Sequence, residues 1–270
     1  MIYSNRTTRA GFRAWTAVVV AFLWLPLAIV AVLSFNTSAS LAWPPKGFTG
    51  KWWTKAIDND GARDALVMSL KTALGATILA LLLGTAASFA VHRFKFFGRE
   101  PLSLILVLPI ALPGIVTGIA LNSAFRQIGL SLGTLSLIIA HATFCVVVVY
   151  NNVIARLRRL SPNLEEASSD LGADMFQTFR FVTFPLLRSA LLAGGLLAFG
   201  LSFDEIVVTT FTNGPGNDLQ TLPQWILNNL SRGEQQPIVN VVATAVMVFS
   251  LVPVWAAQRL TGEQGGLAGR

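Results

Sequence analysis

Two adjacent acids, Asp204 and Glu205, stand in an otherwise apolar run and have the most chemistry to offer. A carboxylate inside a membrane-length segment is costly, so it is a functional candidate by default. The chemistry would be electrostatic: holding a cation where water is scarce. Lys71 is the only basic residue within the second long apolar segment. It could neutralise one acid but not fully both. The acids lie ~10–13 Å from the outer end of their segment, at ~1.5 Å per helical residue. Adjacent helical residues point about 100° apart. One acid can therefore pair with Lys71 while the other faces a pathway, and both roles stay open.

Covalent chemistry has little support. No G-x-x-x-x-G-K-[ST] phosphate loop occurs. The nearest run, Gly47-Phe48-Thr49-Gly50-Lys51, has the wrong spacing. No nucleophile–base constellation is evident, so the chain should not hydrolyse ATP by itself and should not be an enzyme. His141 and Cys145 lie one turn apart in an apolar run. Two residues do not make a metal site, and core packing with a hydrogen-bonded histidine is expected. Cys145 is the single cysteine, which excludes a disulfide within the chain and a cysteine metal cluster.

A different kind of site occupies residues 161–185, SPNLEEASSDLGADMFQTFRFVTFP. Ser161 before Pro162 is a helix start, with a capping hydroxyl and a proline at the first helical position. Glu165 and Glu166 follow where the positive end of the helix dipole favours them. Leu164, Ala167 and Leu171 form one narrow apolar stripe. Gly172 should end the helix in the left-handed cap. Asp174 with Gln177 predicts a capping box for a second helix, and Pro185 closes it. A short helix lying on a membrane surface would also fit this pattern.

The spacing adds more. Glu166-Ala167-Ser168 is followed by three residues and Gly172, then by nine residues and Val182-Thr183-Phe184-Pro185. This resembles the cytoplasmic "EAA" loop of ABC-importer permeases, with Ser168, Val182 and Phe184 as departures from the family pattern. The whole chain, including Leu201-Ser202-Phe203-Asp204-Glu205, resembles the spermidine/putrescine-type permease subunits. The resemblance implies an all-α membrane fold of six transmembrane helices with a cytoplasmic coupling helix between spans four and five. It implies that Glu165, Glu166, Ala167, Gly172 and Ala173 couple to an ATPase. It further implies a second permease subunit, two ATPase subunits carrying the ATP and Mg, and a periplasmic or extracellular solute-binding protein. No cofactor would be held by this chain. The energy would come from the partners.

The elements that must position these groups follow from composition. At 53% hydrophobic and 12% charged, 270 residues are too apolar for an ordinary soluble domain. Six spans are expected, from about Ala14 to Ser34, Ala65 to Ala90, Leu102 to Ala124, Leu132 to Ile154, Leu186 to Thr212 and Ile238 to Leu260. That arrangement makes residues 14–260 one transmembrane domain, between a cytoplasmic N-terminus (1–13) and a cytoplasmic tail (261–270). The first apolar run is too long for a signal peptide and reads as an uncleaved helix. Of the twenty Lys and Arg, thirteen lie in or flank the loops on the terminal side. The positive-inside rule then puts both termini and residues 161–185 in the cytoplasm; the resemblance implies that the membrane is a bacterial inner membrane. The net charge of +7 reports topology rather than nucleic-acid binding.

Smaller signals remain. Pro109 and Pro113 predict either a bent, path-lining helix or a packing kink. Gly114 and Gly118 make a G-x-x-x-G pair permitting close helix contact. Gly194, Gly195 and Gly200 would allow close packing, in one reading with a second permease. A short helix around Trp225 is expected after the turn-rich Asn213-Gly214-Pro215-Gly216-Asn217-Asp218. For a cation such as a polyamine, Asp204 and Glu205 with Phe203 would be the pathway residues. A permease for another small solute, an ion-coupled secondary transporter and a non-transporting membrane scaffold are the rival readings.

Overall fold

The computed structural model describes residues 6–39, 43–161, 163–214 and 220–265, with side chains from Thr8 to Leu251. Helices are α1 (Arg6–Leu33), α2 (Lys51–Ile57), α3 (Asp60–Arg93), α4 (Arg99–Ala111), α5 (Gly114–Gln127) and α6 (Thr134–Leu157). Then come α7 (Asn163–Asp170), α8 (Met175–Thr178), a π turn (Phe179–Thr183), α9 (Phe184–Phe203), α10 (Val207–Thr212), α11 (Leu222–Asn229) and α12 (Gln236–Gly265). The only strand-like feature among the described residues is one isolated bridge, Asn36 to Phe48.

Among the described residues, four stretches are long and apolar enough to cross a membrane: Thr8–Leu33, Asp60–Arg93, Thr134–Leu157 and Met175–Phe203. The α4–α5 pair makes a fifth if counted as one span. In α12 the shorter stretch Gln236–Leu251 is apolar. The short helix expected around Trp225 is α11.

The chain clusters as two units, Arg63–Trp225 with the end of α12, and the residues up to Ala62 with Ile226–Phe249. In the latter, α1 leaves large apolar side chains uncovered all round, such as Trp15, Phe22 and Leu25. That is what a helix in lipid needs. Its following loop is pinned by Trp52, whose indole N–H donates to the Asn36 carbonyl at 2.8 Å. The Asn36 side chain accepts from the Ser38 and Lys46 backbone N–H groups.

The larger unit is built around α6. Leu137, His141, Cys145, Val149 and Val153 are fully buried along it. Its main partner is α9, and Leu187 and Ala198 join the same core. The glycines Gly194 and Gly195 are used here. A Cβ on Gly194 would meet Val149 Cα at 3.3 Å, and one on Gly195 would meet Leu81 at 3.4 Å. These two therefore serve packing within the chain, not an interface with a second permease.

Two expected spans are not straight. Span three breaks after Ala111, and α4 and α5 meet at 109°. Pro113 caps α5, and the residue before a proline is pushed to extended backbone. Leu112 adopts ψ 146° accordingly. The bend is far sharper than a proline kink. Span five also stops short. Helix α9 ends at Phe203 and α10 begins at Val207, so Asp204, Glu205 and Ile206 form a break rather than the middle of a continuous helix.

Candidate functional site

The first candidate is the loop between α6 and α9. Pro162 lies outside the described residues, and α7 begins at Asn163. Gly172 has φ +82°, the left-handed cap expected of it. The Ala173 N–H reaches the Ser168 carbonyl at 3.1 Å, and the Gly172 N–H reaches that of Ser169 at 2.9 Å. That pair of bonds is a Schellman motif. Asp174 then caps α8: its carboxylate accepts from the Gln177 N–H at 2.8 Å, and the Gln177 side chain accepts from the Asp174 N–H at 3.0 Å. Two helices are thus locked at a fixed angle by local chemistry alone.

Three side-chain contacts tie this corner down. The Arg93 guanidinium, at the end of α3, donates to Glu165 at 2.5 Å. Thr183 of the π turn donates to the same carboxylate at 2.7 Å. Ser168 meets Thr178 at 3.0 Å, so the residue that departs from the E-A-A pattern has a partner across the loop. At ~1.5 Å per residue, α3 is about 51 Å long, well beyond the ~30 Å of hydrocarbon. Its end can therefore reach this corner. Glu165 and Glu166 part company here: Glu165 is tied inward, whereas Glu166 and Ala167 are exposed. A cavity of about 410 Å³ lies beside them, lined by His92, Arg93, Arg158, Glu165 and Glu166 among others. The apolar stripe is uncovered. Leu171 (89%), Met175 (77%) and Phe176 (68%) stand open.

The second candidate is the break at Asp204–Ile206. The Glu205 carboxylate accepts from the Val208 N–H at 2.8 Å, so it serves as a cap for α10. Asp204 is exposed, and among the described residues no ion pair joins Lys71 to either acid. Phe203 is buried and stacks on Phe199 with centroids 5.9 Å apart. Helix α5 braces α10 from one side. Gly118 is the contact point, since a Cβ there would lie 2.8 Å from the Phe211 ring. Asn122 also donates to the Phe211 carbonyl. The G-x-x-x-G pair is therefore a helix contact, with Gly114 against Val207.

His141 braces the break from α6. Its Nδ1 is 2.8 Å from Ser202 Oγ, before the break, and its Nε2 is 2.8 Å from Thr209 Oγ1, after it. The hydrogen-bonded core histidine was legible in the sequence; its place across a helix break was not. The available signal was two hydroxyls seven residues apart, flanking two acids in an apolar run. Cys145 donates to the Ala198 carbonyl. Among the described residues no group of three or more His, Cys, Asp or Glu side chains could hold a metal.

Residues 76–262 match the family model described as the binding-protein-dependent transport system inner membrane component. The chain belongs to this family. It is a multi-pass inner membrane permease subunit of a binding-protein-dependent importer, a transport component and not an enzyme. The permease is 35% identical over 261 residues to the spermidine/putrescine transport system permease protein PotC of Escherichia coli (strain K12), covering 96% of each chain. It is 32% identical over 234 residues to the putrescine transport system permease protein PotI of the same organism, covering 84% of this permease and 82% of that one. A solved bacterial ABC transporter involved in the import of the acidic polysaccharide alginate has the same fold. Its TM-score is 0.70 at 14% identity, over 97% of this chain and 99% of that one. The all-α permease architecture expected from the sequence is thereby established.

Proposed function

We propose that this permease forms the translocation path of an ATP-driven polyamine importer, working with a second permease, two ATPase subunits that carry ATP and Mg, and an external solute-binding protein. The observation that carries the reading is the corner at α7 and α8. Its backbone is locked by a Schellman motif and a capping box, yet it leaves Leu171, Met175 and Phe176 uncovered. A rigid element with an open apolar tip suits docking into a groove of a moving partner. The tie from Glu165 to Arg93 would then carry that motion into α3. Glu166, Ala167, Gly172 and Ala173 belong to the docking side of the same corner.

For the cargo, a polyamine carries several ammonium groups on an apolar stem. Holding it at membrane depth requires opposing charge. Asp204 and Glu205 at the break supply that charge, with Phe203 as the neighbouring apolar wall. Irregular backbone at membrane depth is tolerated where it lines a cavity or is buried in protein. The relatives named for spermidine and putrescine support the same cargo. High-affinity selection would belong to the binding protein, because a transit site must also release. Transport assays on the reconstituted complex with a panel of labelled solutes test this. Uptake of putrescine or spermidine is expected, coupled to ATP hydrolysis by a co-purifying ATPase. Uptake driven by an ion gradient without an ATPase would overturn the assignment.

The orientation follows from charge: both termini and the α7–α8 corner are cytoplasmic. With Cys145 replaced by Ser, single cysteines at Asn213 and Ser168 test it. An impermeant thiol reagent applied outside intact cells should label position 213 and spare 168. The reverse pattern would refute the orientation and the coupling role together.

A further inference from the structure

We propose that His141 is a positioning residue: a neutral imidazole, protonated on Nε2, that ties the two sides of the Asp204–Ile206 break together and sets where the two carboxylates stand. Its consequence for transport rests on the reading of those acids as path residues. The clamp itself rests on geometry alone.

The direction of each bond follows from counting protons. Thr209 has one hydroxyl proton, and we assign it to the Glu205 carbonyl at 2.9 Å, because a carbonyl can only accept whereas an imidazole nitrogen can do either. Thr209 Oγ1 therefore accepts from the ring, and Nε2 carries the hydrogen. The neutral ring then has one acceptor left, Nδ1, and Ser202 supplies the proton at 2.8 Å. The chain runs one way, from Ser202 through the ring to Thr209 and on to the Glu205 carbonyl. Every member is satisfied, as buried polar groups must be. The ring and Thr209 are fully buried, and Ser202 nearly so.

The break needs such a clamp. Helix α10 has six residues, too few to hold itself. Ser202 lies in the last turn of α9 and Thr209 in α10, with the acids between them. Helix α6 is the most buried element of its unit, so it offers a fixed platform. Glu205 is gripped twice, by its carbonyl through Thr209 and by its carboxylate through the Val208 N–H. The carboxylate of Asp204 is carried on the same short segment.

The test uses the assembled transporter in membranes, with Cys145→Ser and a single cysteine at Ile206. The probe is aminoethyl methanethiosulfonate, and rates are normalised to assembled complex. Loss of the clamp should raise the labelling rate at position 206 by about fivefold or more, because local opening exposes the segment. This is expected for His141→Leu and for Thr209→Val, which keeps its shape and covers the case where the leucine variant fails to assemble. Unchanged rates in Thr209→Val and Ser202→Ala would overturn the clamp. His141→Gln, whose amide nitrogen reaches about as far as Nε2, should label more slowly than His141→Leu; equal rates would reduce His141 to packing. For transport, His141→Leu combined with Asp204→Asn should be no worse than the poorer single variant if the histidine acts through the acid. Fully additive losses would overturn that route. If Asp204→Asn and Glu205→Gln both transport like wild type, the path reading falls, while the labelling rates still decide the clamp.

Discussion

Valine at Gly172 is expected to reduce transport to near background while the complex still hydrolyses ATP. A Cβ at this position meets nothing within 4 Å, so space is not the obstacle. The obstacle is φ +82°. Left-handed backbone costs a non-glycine residue roughly 1–2 kcal/mol, and a β-branched one more. The Schellman bonds at Ala173 and Gly172 set the angle between α7 and α8. A chain that relaxes out of the left-handed region loses both bonds and re-aims the exposed tip at Leu171, Met175 and Phe176. Asn tolerates this region better than any other non-glycine residue. Gly172→Asn should therefore retain much of the transport that Gly172→Val loses. Glu166→Ala leaves the backbone alone and should weaken ATPase association instead, because Glu166 is exposed whereas Glu165 is tied to Arg93. Transport, ATPase rate and co-purification measured on the same preparations separate these outcomes. Equal, full transport in Gly172→Val and Glu166→Ala would sink the coupling assignment.

The α7–α8 corner was readable in advance because its determinants are local. Asp174 and Gln177 are three residues apart, Gly172 sits at the end of an apolar stripe, and each cap needs only its own neighbours. The long spans were readable for the same reason, since hydropathy is a sum over consecutive residues. Helix breaks are different. Pro109 and Pro113 marked a disturbance in span three, but proline chemistry alone does not dictate a 109° turn. The break at Asp204–Ile206 contains neither proline nor glycine. It is held by His141, more than sixty residues away in sequence, and by α5 through Gly118. Such tertiary bonds leave no periodicity to read. The glycines were readable only in part: Gly194 and Gly195 signal the close packing they make, without saying with what.

Neutralising Asp204 is expected to harm polyamine transport more than neutralising Glu205. The two carboxylates have different employment in the structure. Glu205 accepts from the Val208 N–H and caps α10, so part of its role is structural. Glu205→Gln keeps an acceptor oxygen there, and the cap should survive. What is lost is charge already partly committed to a backbone donor. Asp204 is exposed, and among the described residues it carries no ion pair. Its charge is available to a passing ammonium group. A hydrogen bond to a charged group contributes roughly 1.5–3 kcal/mol. Spent on the transit of the cation, that is about ten- to hundredfold in rate. Asp204→Asn should therefore lower uptake by at least about tenfold with assembly intact, and Glu205→Gln by less. Glu205→Ala removes the cap as well and should reduce the amount of folded complex. Lys71 supplies the control. If a hidden pairing with Lys71 were the reason for the loss, Lys71→Met combined with Asp204→Asn would restore uptake, because no charge would be left unpaired. No such pair joins them among the described residues, so the double variant is expected to stay defective. Initial uptake rates against putrescine concentration, normalised to complex in the membrane, decide between the two. Recovery in the double variant would return Asp204 to a structural role, and wild-type uptake in both single neutralisations would remove the electrostatic case for a cationic cargo.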